Sequence, residues 1–145
     1  MPGLIYSAHD TVGLTGAAGA THEMYITAPS THHIRITDLI VSGDFDAATD
    51  DPVTVVFQRA TSPSSGTTLT PSKHNTENSL AAQATVHGDG VTATPVSNSA
   101  VFTQYVKPGY SFKPGVVCAP SETWVVTMTP GAQARTMNIS LYWEE

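Results

Sequence analysis

The segment Met137-Asn138-Ile139-Ser140-Leu141-Tyr142-Trp143 places Met137, Ile139, Leu141 and Trp143 at every second position, with polar or amphipathic residues between them. A period of two puts those four large side chains on one face of an extended strand, where a helix would scatter them around its axis. Trp124-Val125-Val126-Thr127-Met128-Thr129 repeats the pattern with Trp124, Val126 and Met128, and Pro130-Gly131 follows as a turn. The two segments are expected to form an antiparallel hairpin or to lie as close neighbours. Val53, Val55 and Phe57 make a third such face, and Val56 between them predicts partial cover on the other side.

Weaker strands fill the rest of the chain. Met24, Ile26 and Ala28 alternate until Pro29 ends the run, as proline does at a strand edge. Ile34 and Ile36 alternate, but Leu39-Ile40-Val41 breaks the phase, which predicts a bulge or a change of sheet near Asp38. Residues 101–106 and Tyr110-Ser111-Phe112 are short β-type runs, separated by Lys107-Pro108-Gly109; the tripeptide recurs as Lys113-Pro114-Gly115 and reads as turn punctuation. Leu4-Ile5-Tyr6 and Val12-Gly13-Leu14 add edge strands, so residues 1–22 read as an N-terminal arm or sheet edge.

About eight strands with turns at short intervals describe an all-β fold, an antiparallel β-sandwich of jelly-roll type. The 145 residues suit one domain spanning 1–145. Residues 61–100 break the spacing. They are rich in Ser, Thr, Pro and Gly, with only Glu77 to Ala82 suited to a helical turn. This stretch is expected to be one long irregular loop that packs across a face or reaches a neighbouring subunit.

Composition narrows the function classes. Charged residues make up 12% of the chain, about half the usual share, and 21 Thr and 13 Ser take their place. The net charge of −6, with three Lys and three Arg dispersed along the chain, argues against a phosphate-binding nucleic-acid partner. No Lys or Arg precedes Arg35, and His9 and Asp10 interrupt the apolar run that a signal peptide would need. No run approaches membrane-spanning length, so synthesis and solubility in a host cytoplasm are expected. The lone Cys118 reads as a small buried hydrophobe rather than a reactive thiol.

No Gly-x-Ser-x-Gly elbow or phosphate-binding glycine loop is present, so no catalytic or cofactor residues are expected. Asp44, Asp46, Asp50 and Asp51 crowd one segment; the favoured reading is a solvated loop, the sharper one a calcium site. His32 and His33 are adjacent and would point to opposite faces of a strand; His9, His22, His74 and His87 are scattered, and no metal site is expected from them. Asn138-Ile139-Ser140 fits a glycosylation pattern but lies in the strongest strand, which removes it. The candidate interaction residues are aromatic: Tyr105, Tyr110 and Phe112 around the Lys-Pro-Gly turns, and Phe45 among the aspartates.

Several segments resemble a known family. Ile34-Arg35-Ile36-Thr37-Asp38-Leu39, Phe57-Gln58-Arg59-Ala60-Thr61 with Ser64-Ser65-Gly66-Thr67, Thr70-Pro71, Leu80-Ala81-Ala82 and the closing Leu141-Tyr142-Trp143-Glu144-Glu145 are similar to those of small tailed-bacteriophage virion proteins. The resemblance covers about three-quarters of the chain and carries no active-site signature. It implies a jelly-roll-like domain on the capsid exterior, a head decoration or cement protein. The expected partner is then the major capsid protein, and the expected assembly a homo-oligomer, with a trimer favoured. The alternative is a tail or fibre module binding host surface glycan through Tyr105 and Tyr110.

Overall fold

A computed structural model of the protein describes residues 3–43, 52–75, 79–106 and 110–145. Eleven strands are present among them: β1 (Ile5–Leu14), β2 (Thr21–Thr27), β3 (Ile34–Gly43), β4 (Val53–Leu69), β5 (Ser72–Lys73), β6 (Thr85–Pro95), β7 (Phe102–Val106), β8 (Tyr110–Phe112), β9 (Val116–Cys118), β10 (Thr123–Thr129) and β11 (Arg135–Glu144). They form two antiparallel sheets. The first runs β5-β1-β11-β3-β8, and β9 also pairs with β3. In the second, β10 lies between β2 and the first half of β4, with β7 outside β4 and β6 beside β2. The two sheets pack as an all-β antiparallel sandwich, the fold class expected from the sequence.

The core is where the two alternating faces meet. From the first sheet come Tyr6, Ile34, Ile36, Leu39, Val41, Met137, Ile139, Leu141 and Trp143; from the second, Met24, Ile26, Val53, Val55, Phe57, Trp124, Val126 and Met128. Burying each of the larger apolar side chains contributes about 1.5–3 kcal/mol. Tyr6 stacks on Trp143 with ring centroids 5.9 Å apart, and Phe57 meets Trp124 at 5.2 Å. The broken phase in β3 is a bulge. Ile36 faces Trp143 and Asp38 faces Tyr142, so Thr37 is the extra residue, and the phase shift returns Leu39 and Val41 to the core.

Three expectations are corrected. β10 and β11 do not pair: they lie in opposite sheets, and the apolar faces of both are buried in one common core. β1 is one continuous ten-residue strand fully paired with β11, where two short edge strands were expected. Residues 61–100 are not one irregular loop. β4 continues to Leu69 and pairs with β6 from Ala60–Pro95 to Leu69–Val86, forming a two-stranded ribbon. Residues 79–82 of the expected helical turn carry no helix; the preceding ones lie outside the described residues.

The ribbon starts on one side of β10, next to β4, and finishes on the other side, where Thr85–Gly88 pair with β2. It therefore crosses the outer face of β10. Ala60, Val91 and Ala93 from the ribbon pack there with Tyr25 and Val125 in a second, smaller apolar cluster. This explains why Trp124, Val125 and Val126 are all buried although they alternate in direction. Register shifts at Thr61/Ser64 and Ser65/Thr67 bend β4 into this path. Gly66 is required at the second shift: its φ is +82°, and an added Cβ would lie 2.6 Å from the Gly88 carbonyl oxygen.

Candidate functional site

The sequence-derived aromatic candidates lie on the outermost strands or outside the described residues. Tyr105 is on β7, opposite Thr54, at the edge of the second sheet. Tyr110 and Phe112 are on β8, opposite Val41 and Leu39, at the edge of the first sheet. The three thus belong to two different sheets and do not share one strand. Phe45 and the aspartate segment 44–51 lie outside the described residues.

The histidines separate into distinct settings. His22 Nδ1 is 2.9 Å from Thr127 Oγ1, and His87 stacks on Tyr25 with centroids 4.8 Å apart. His32 Nε2 lies 3.8 Å from a carboxylate oxygen of Glu145. His9 and His74, far apart in sequence, converge on one hydroxyl: Ser7 Oγ is 3.1 Å from His9 Nε2 and 2.7 Å from His74 Nε2. His9 Nδ1 is in turn 2.8 Å from Ser140 Oγ, and both imidazoles pack against the Tyr142 ring. Ser7 has one proton to donate, so the chain Ser140–His9–Ser7–His74 has a direction. Ser7 is fully buried beneath the two rings, which makes it a poor nucleophile and a good tie between β1, β11 and the segment after β5. Among the described residues, no group of three or more His, Cys, Asp or Glu side chains is placed to hold a metal ion.

Glu145 plays a similar tying role. Its carboxylate accepts hydrogen bonds from the Gln83 and Ala84 amides and from the Trp143 indole N–H, at 2.9–3.1 Å. Its backbone also exchanges two 3.0 Å bonds with Leu4. Cys118 is buried, and burial with the nearby Glu122 charge pushes its thiol up to about 12, so the thiolate is suppressed.

A pocket of about 390 Å³ lies between the edge of β1 and the second sheet. Its walls are the end of β1 (Thr11 to Leu14), the start of β2 (Thr21 to Glu23), Asp89 to Val91 from the ribbon, and Pro130. Local backbone irregularities build it. Met24 pairs with Val126 and His22 with Thr127, so Glu23 is the extra residue of a bulge, which redirects its side chain. Asp89 and Gly90 both adopt positive φ, kinking β6 into the wall. The Asp10 carboxylate joins the two sheets by accepting the Asp89 amide at 2.9 Å.

Glu23 is 8% exposed and accepts the Thr21 hydroxyl on Oε1. Burial raises its pKa first, the Thr21 bond lowers it, the Asp10 charge raises it, His22 lowers it and the Asp89 charge raises it. No Lys or Arg lines the pocket, and its basic side chain is that of His22. Nothing in the sequence marked Glu23, because a bulge that turns one residue of an alternating strand leaves no local composition signal.

No family model, curated protein or solved structure matches the chain.

Proposed function

We propose that the protein is a structural component of a bacteriophage particle: a head decoration protein, trimeric, that binds the outer surface of the major capsid protein and stabilises the shell. The observation that carries this reading is the outer strand of the ribbon. Residues 61–68 are exposed in succession, none is charged, and six of them are Ser or Thr. Such a surface loses little side-chain entropy when it is covered, since it lacks long Lys and Glu chains. Its hydroxyls both donate and accept, so they pair readily with a partner's backbone. The ribbon is held to the sandwich through Val91, Ala93 and Ala60, so it presents a fixed face. The phage setting comes from the sequence resemblance. Modest contacts repeated by symmetry stabilise a shell without any one tight site, and a trimer suits a local threefold axis.

The test is addition of purified protein to expanded, undecorated heads. Co-sedimentation and a rise in the head melting temperature are expected. Absence of binding to both empty and expanded heads refutes the proposal.

A further inference from the structure

The pocket at the β1 edge combines two features that point to one kind of guest. Its polar side is the Glu23 carboxylate, 8% exposed and bonded on Oε1 to Thr21, with Asp89 and His22 also in the walls and the Asp10 charge nearby. Two like charges around a desolvated carboxylate are unfavourable, and a cation entering the pocket relieves that imbalance. Its remaining walls are apolar or hydroxylated: Val12, Leu14, Val91 and Pro130, with Thr11 and Thr15 at the rim. A bare metal ion does not suit such walls, and the acids do not form a metal-binding group. An ammonium on an aliphatic stem suits both sides. The stem packs on the apolar walls while the ammonium donates its three protons to carboxylate and hydroxyl oxygens. The volume of about 390 Å³ is near the lower limit of ligand sites, enough for one side chain rather than a large cofactor.

We infer that this pocket is a docking site for a lysine side chain of a protein partner, with Glu23 as the ammonium acceptor and Asp89 as its flanking charge. As an account of capsid attachment this rests on the virion reading above; as binding chemistry it is tested on the isolated protein.

The experiment is an NMR titration of the full chain with acetyl-Gly-Lys-Gly-amide, alongside the norleucine and arginine analogues and a neutral monosaccharide. The lysine peptide is expected to give saturable shifts at Thr21, Glu23 and Asp89 with a millimolar Kd, and the norleucine peptide none. Glu23→Gln, which keeps an acceptor for Thr21, should weaken binding by roughly tenfold or more. Asp89→Asn, at an exposed position that tolerates the same backbone, should weaken it less. No shift with the lysine peptide overturns the inference, as does equal binding of the norleucine peptide or the sugar. Stronger binding of the arginine peptide than of the lysine peptide overturns it too. The same variants then go to head binding. Glu23→Gln protein that binds heads like wild type overturns the capsid-docking role and leaves the virion reading intact. Wild-type protein that binds the lysine peptide but no heads overturns the virion reading and leaves the pocket chemistry standing.

Discussion

The Asp10 carboxylate occupies the space that a side chain on Gly88 would need, so these two residues bring the edges of opposite sheets into contact. Asp10 also accepts the Thr11 amide at 2.9 Å and so covers a donor at the β1 edge. Gly88 sits in the part of β6 that pairs with both β2 and β4.

Gly88→Ala should therefore destabilise the fold by about 1–3 kcal/mol, because the new methyl group displaces Asp10 and meets Leu69 as well. Urea denaturation reads this directly. Asp10→Asn, which keeps an acceptor, should cost less.

Removing the Glu145 side chain should have a large effect on stability. Glu145→Ala leaves the Ala84 amide and the Trp143 indole without their acceptor, at a cost of about 2–4 kcal/mol. The loss should appear as a lower melting temperature with increased hydrogen exchange at residues 82–85.

The ribbon depends on the second apolar cluster. Val125→Ala opens a cavity beneath Val91 and Ala93 and should cost about 1–3 kcal/mol. Exchange protection should fall first in β6, while β11 keeps its protection. Equal loss in both strands would mean that the ribbon is not a separate layer.

Glu23 gives a signed pH dependence. Its folded-state pKa lies above the ordinary value of 4.5, chiefly through burial, so the folded protein binds this proton more tightly than the unfolded chain. The stabilising effect is fully present below the ordinary value and is lost as pH rises through the folded-state value. Glu23→Gln should consequently stabilise the protein at pH 8 relative to wild type, with the difference shrinking toward pH 4. Denaturant titrations at the two pH values check the sign.

Much of the fold was legible because burial imposes strict periods. Met137, Ile139, Leu141 and Trp143 announce a strand, and the break between Ile36 and Leu39 announces the bulge at Thr37. Which sheet a strand joins is a long-range choice, so the Trp124 and Met137 segments were expected to pair although they belong to opposite sheets. The ribbon was hidden because its outer face is all hydroxyl and its inner face is small, with Ala60, Val91 and Ala93 giving almost no periodic signal. The functional residues were less legible still. Ser7, His9 and His74 meet only because β5 pairs with the start of β1, and Glu23 reaches the pocket only through a bulge. Tyr105 and Tyr110 looked adjacent in the chain and lie in different sheets.

The central claim is a place in a particle, and electron cryo-microscopy of purified virions tests it most directly. The decoration reading predicts density for this sandwich on the outside of the head, in three copies around local threefold axes, with the ribbon strand 61–68 against the capsid subunit. Absence of the protein from virions, or its confinement to the tail, would contradict it.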